Sequence, residues 1–116
     1  MSVRHAALSF ILVVSAILVG CGSVVDVTKT AKGFFQPTDP NNVEILKTVP
    51  TRAYEELGTV TANDFPVNDV AKMHNAIRSK AAALGADAVI LTQEGILSGT
   101  WSSSRWSIGV AIHYKH

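Results

Sequence analysis

The sequence predicts a small α+β domain. Two strands, one helix and two further strands (β-β-α-β-β) form two layers, with the helix on one face of a single, mostly antiparallel sheet. Three observations predict it. Only one segment carries sustained helical periodicity, with Val70, Met73, Ile77, Ala81 and Leu84 recurring at three and four residues. Strand-like segments flank it, two before and two after. The last two are joined by the Gly/Ser-rich stretch "GILSGTWSSS".

The first strand is expected at Val43–Val49, "VEILKTV", with Val43, Ile45 and Val49 on one side. A second covers Thr51–Ala62. Its apolar residues Tyr54, Leu57 and Val60 do not alternate, which points to a bulge near Gly58. The helix follows, with Asn68 as expected N-cap, Asp69 in the first turn and Gly85 as its C-terminal stop. Ala88–Leu91 is continuously apolar and reads as a central strand covered on both faces. In "RWSIGVAIHYK", Trp106, Ile108, Val110, Ile112 and Tyr114 face one way, and Ser107, Gly109, Ala111, His113 and Lys115 the other. The face with Gly109 and Ala111 is the one expected to lie open, to be covered by a partner or by the N-terminal segment.

The chain has 116 residues, enough for one domain, and 47% of them are hydrophobic. Much of that count comes from the N-terminus. Arg4 and His5 precede an apolar run of 14 residues, Ala6 to Val19, and no acid occurs before Asp26. A basic head, an apolar run and then small residues is the layout of a secretory signal peptide. The run falls short of the ~20 apolar residues of a spanning helix. Residues 1–20 are therefore expected to be cleaved. Residues 21–40 read as a tether ending in turn formers, with Phe34 and Phe35 docked on the domain, and 41–116 as the domain itself. Cleavage would leave nine Lys and Arg against nine Asp and Glu. Such a balance lacks the basic surface that nucleic-acid binding requires.

Export makes the single cysteine, Cys21, informative. No internal disulfide can form, which leaves intermolecular pairing, a reactive thiol or a modification. "LVGC" at Leu18–Cys21 resembles the bacterial lipobox. The resemblance implies cleavage after Gly20, diacylglycerol on the Cys21 sulfur and usually an acyl group on the new amine. Several acyl chains anchor a protein stably, at about 0.8 kcal/mol per buried methylene. Gly22, rather than Asp, follows the cysteine, and by enteric-type sorting this implies the outer membrane, on its periplasmic side.

The core "YEELGTVTA…KMHNAIRSKAAALGADAVIL" resembles a module of small bacterial envelope proteins: a strand ending in "LG-V", an Ala-rich helix, then "LGA-AV" entering a strand. The Rcs stress-sensor lipoproteins and the small YbjQ-like families are similar. The resemblance spans residues 43 to about 94 and implies fold and compartment.

Residues able to carry chemistry are few. Ser98 and Ser102–Ser104 lie in the Gly/Ser stretch with no nucleophile-elbow pattern, and no spacing pairs them with His74 or His113. His113 and His116 are expected to be exposed terminal side chains, because residues three apart on a strand point to opposite faces. No catalytic residue, cofactor or metal site is expected. The candidate binding surface is Trp101, Arg105 and Trp106, a platform for a sugar, peptide or lipid headgroup with Arg stacking. The competing expectation, which we favour, packs Trp106 in the core and lets Trp101 cap the hairpin. The first or last strand could also add to a partner sheet, the last being partly blunted by Lys115 and His116. The expected function is a non-catalytic binding or structural role in the periplasm, held to the membrane by lipid, with an envelope protein or peptidoglycan as partner. The alternative is an envelope-stress sensor signalling to a second protein.

Overall fold

The computed structural model describes residues 22–116. Its helix, α1 (Val70–Ala83), forms where the apolar stripe predicts, but its cap lies one residue later than expected. The Asp69 carboxylate, not the Asn68 amide, accepts the Lys72 N–H at 3.1 Å. The chain then stops sharply. Gly85 takes φ 89°, and the Gly85 and Ala86 N–H groups donate to the Ala82 and Ala81 carbonyls at 2.9 and 3.1 Å. A left-handed residue there favours glycine, and a side chain at this point would collide with Phe35.

Five strands form one sheet: β1 (Val24–Lys29), β2 (Glu44–Leu46), β3 (Tyr54–Phe65), β4 (Ala88–Ser98) and β5 (Ser103–Tyr114). Their spatial order is β1-β3-β5-β4-β2, all antiparallel except the short parallel pairing of β2 with β4. The two-layer α+β reading holds, with one strand more than the sequence suggested. Residues 24–29 were expected within a tether. Instead they pair with β3 along its length, from Val24 opposite Asn63 to Lys29 opposite Gly58. The alternation in "VVDVTK" accounts for it, because Val25 and Val27 turn inward onto the core while Asp26 and Thr28 face out. The rest of the supposed tether is also docked. Thr30 and Ala31 donate to the Leu57 carbonyl, and Thr38 donates to the Ala82 carbonyl at 2.9 Å. Phe35 packs on the core as expected, whereas Phe34 is 90% exposed under the Lys29 ammonium.

The expected first strand ends early, at Leu46, and Val49 is exposed. Since β2 and β3 run the same way and are not neighbours, residues 47–53 must carry the chain back to the start of β3. This return places the Arg52 guanidinium 4.1 Å from the Tyr114 ring centre. The predicted bulge is present as a register shift between Glu56 and Gly58. Ala88–Leu91 is buried throughout, as a central segment should be. The final strand, β5, lies in the middle of the sheet, so it offers no edge to a partner. The free edges belong to β1, to β2 and to the part of β4 beyond Ile90 that β2 does not reach.

The two faces of β5 are exchanged relative to expectation. The helix covers the small-residue face. Ser107, Gly109 and Ala111 are buried beneath α1, whose Met73, Ile77, Ala81 and Ala82 fill the space above. Small side chains in the floor let the helix sit close to the sheet, and a Cβ on Gly109 would lie 2.7 Å from Val89 Cγ1. The large residues Trp106, Ile108, Val110 and Tyr114 lie half-buried on the other face. There Ile112, Ala88 and Ile90 form a smaller cluster with Leu46 and Tyr54.

Candidate interaction surfaces

The three residues of the expected platform are not brought together. Arg105 and Trp106 are consecutive on β5 and so point to opposite faces. The Arg105 guanidinium turns to the helix layer, where Nε and one terminal nitrogen donate to the Val67 carbonyl at 3.1 and 2.9 Å. Trp106 lies on the open face with its ring against Gly95, the cross-strand neighbour, where a Cβ would lie 2.9 Å from the indole. It therefore packs on the sheet rather than between sheet and helix. Trp101 sits at the hairpin tip and caps nothing, being 96% exposed. Cys21 lies outside the described residues.

The hairpin is longer and better ordered than its Gly/Ser composition suggests. β4 and β5 stay paired to Ser98 opposite Ser103, and Gly99 N–H closes the turn onto the Ser102 carbonyl at 2.7 Å. Ile96 and Leu97 on β4 are 47% and 61% exposed. Sequence reading missed these two. The available signal was a run of ten uncharged residues, Gly95 to Ser104, between Glu94 and Arg105.

The start of the described chain lies at this same end of the sheet. β1 begins at Val24 beside Asn63, and Ser23 Oγ donates to the Asp64 carbonyl at 2.9 Å. Phe65, next in β3, stands opposite Arg105 near the root of the hairpin. A shallow apolar groove opens nearby between β1 and α1, lined by Val25, Phe65 and Ala76 with Lys72 and Lys80 at its rim.

A second, polar region lies where α1 meets β2 and β4. Arg78 donates from Nε to the Val43 carbonyl at 3.0 Å and from a terminal nitrogen to Asn75 Oδ1 at 2.8 Å. Lys47 Nζ pairs with Glu94 at 2.9 Å, and this hydrogen bond holds the Glu94 carboxyl below its ordinary pKa. His74 Nε2 is buried without a hydrogen-bond partner. Burial first, and then the Arg78 charge, depress the His74 pKa, with Glu94 pulling the other way. An open polar groove beside it is lined by Asn41, Glu44, Asn75 and Arg78.

Of the two terminal histidines, His116 is exposed as expected and His113 is not. His113 is half-buried, its ring stacked on Phe35 at 4.3 Å between centres, with Nδ1 3.0 Å from the Gly85 carbonyl and 3.3 Å from Asp87. Its work is to fasten the turn that joins α1 to β4. The buried Ser107 hydroxyl reaches Met73 Sδ at 3.5 Å and no base. Among the described residues, no three His, Cys, Asp or Glu side chains cluster closely enough to hold a metal ion. No helix among them is long and apolar enough to cross a membrane.

No protein-family profile matches the chain, and no curated protein matches it. Among solved structures it is similar to a Francisella virulence factor, FvfA. The two share 17% identity and superpose with a TM-score of 0.59, over 77% of this chain and 97% of that one. This likeness supports the two-layer fold and, at such identity, nothing finer.

Proposed function

We propose that the protein is a lipid-anchored envelope protein with a non-catalytic binding or structural role, held by Cys21 to the periplasmic side of the outer membrane. The observation that carries the reading is the position of "LVGC" at the end of a basic-then-apolar leader, with the sheet beginning at Val24, three residues past the cysteine. Two or more acyl chains on Cys21 would hold the domain stably at a bilayer surface. A non-catalytic role is supported by where the polar groups go. Ser107, His113 and Arg105 each spend their hydrogen bonds on the fold, to Met73, Gly85 and Val67. An interaction role is supported by the free outer edge of β4 beyond Ile90, where unpaired backbone groups could accept a partner strand.

Growth of cells with labelled palmitate tests the anchor. Label should enter the wild-type protein and be lost in Cys21→Ser. Label retained in that variant, or never incorporated, would refute the reading.

A further inference from the structure

The chain leaves six large apolar side chains exposed among the described residues, and four of them gather at one end of the sheet. These are Val24 at the start of β1, and Ile96, Leu97 and Trp101 on the β4–β5 hairpin. No charge interrupts the hairpin from Gly95 to Ser104. The same end receives the chain from Cys21, because β1 starts there and Ser23 is tied to Asp64.

The geometry points to the hairpin tip as a second membrane contact: Trp101 and Leu97 insert at the lipid–water interface of the bilayer that holds Cys21. This rests on the lipid-anchor reading and adds an orientation to it. Distances along the strands fit. Val24 stands level with Asn63, one residue past the Ala62–Ser107 pair, which is about the level of Trp106. From Trp106 to Ser103 the hairpin runs on by three residues, roughly 10 Å at the usual strand rise. Three residue steps also separate Val24 from Cys21, and an extended chain covers roughly 10 Å in three steps. A lipidated Cys21 is therefore within reach of the plane of the hairpin turn. Sideways, β1 and β5 are two strands apart, roughly 10 Å.

The chemistry of the tip suits lipid better than a soluble partner. Indole is favoured at the interface because its apolar body and N–H donor face different media. Serine and threonine around Trp101 can meet headgroups without a buried charge. Between its two strands the hairpin backbone is paired as far as Ser98 and Ser103, and Gly99 closes the turn, while the outward groups of β4 stay within reach of the hydrated headgroup layer. The hairpin itself carries no charge between Glu94 and Arg105, so contact should depend on apolar insertion and not on anionic lipid.

The test uses the full-length lipidated protein in phosphatidylcholine vesicles, with and without acyl chains brominated near the headgroup. Wild-type emission should shift to the blue and be quenched by the brominated lipid. Trp101→Phe, which leaves only Trp106, should show neither effect beyond its value in detergent. Palmitate labelling of the same samples reports the anchor separately. Labelled protein with unquenched Trp101 would overturn the proposal while leaving the anchor intact. Quenching of a Cys21→Ser chain added to vesicles would support the tip contact even where the anchor fails. Protection of Trp101 by peptidoglycan fragments and not by lipid would overturn it in favour of a cell-wall partner.

Discussion

Ser23 donates its hydroxyl to the Asp64 carbonyl at 2.9 Å, across forty-one residues of sequence. That bond fastens the start of the described chain to the end of β3, where Asp64 takes a positive φ of 61° before the strand closes at Phe65. It also fixes the end of the sheet at which the chain enters the domain. The folded domain therefore begins at Val24, without the long tether that the composition of residues 22–40 suggests.

If β1 is part of the folded domain, its inward side chains contribute to stability. Val27→Asp should place an unpaired carboxylate against the core and destabilise by about 1–3 kcal/mol. Thr28→Asp, on the outward face, should change stability by no more than about 0.5 kcal/mol. Urea unfolding of the two variants checks the contrast. Equal midpoints would mean that residues 24–29 are not packed.

The exchanged faces of β5 make an opposite pair of predictions. Gly109→Val puts new methyls where Val89 Cγ1 stands at 2.7 Å and the Ile90 carbonyl at 3.0 Å, and should cost about 1–3 kcal/mol. Enlarging the half-buried Val110 to Ile, on the other face, should be tolerated. Thermal unfolding midpoints decide it. A tolerated Gly109→Val would mean that the helix packs on the other face.

Capping can be tested at neighbouring residues. Asp69→Ala removes the acceptor for the Lys72 N–H and should cost about 0.5–2 kcal/mol. Asn68→Ala should be close to neutral, although the sequence points to Asn68 as the cap. Helix content and unfolding midpoint should move together in the first variant only.

Stability should fall on mild acidification because of His74. Its pKa in the folded protein lies below the ordinary value of 6.5, so the unfolded chain binds the proton more readily. Its contribution is complete above that value and is lost as the pH falls from there through the lower pKa of the folded state. Glu94, also depressed by its Lys47 hydrogen bond, adds a further loss only in the carboxylate range. His74→Leu should flatten the change in urea midpoint between about pH 7.5 and about pH 5.5. An unchanged pH profile would show that the imidazole is solvated in both protonation states.

Much of the fold is legible from local pattern. The helix stripe, the stop at Gly85, the buried run Ala88–Leu91 and the bulge beside Gly58 follow from periodicity and turn chemistry. What pattern does not supply is partnership. The alternation of "VVDVTK" is visible, yet only β3 as a neighbour makes it a strand, because an isolated six-residue strand has nothing to pair with. The two faces of β5 are equally regular. Which one the helix takes depends on how closely an Ala-rich helix can approach Ser107, Gly109 and Ala111, a property of the packed pair. The supposed Trp–Arg–Trp platform fails for a simple reason: adjacent strand residues diverge, and Arg105 finds the Val67 carbonyl. The exposed pair Ile96 and Leu97 was visible only as an absence of charge.

Cys21 decides whether the domain is anchored or free. The most direct measurement is the intact mass, with N-terminal peptide sequencing, of protein purified from native membranes. We predict a chain that begins at Cys21 and carries the added mass of diacylglycerol and an amide-linked acyl group. A chain that retains residues 1–20, or that begins at an unmodified Cys21, would contradict it.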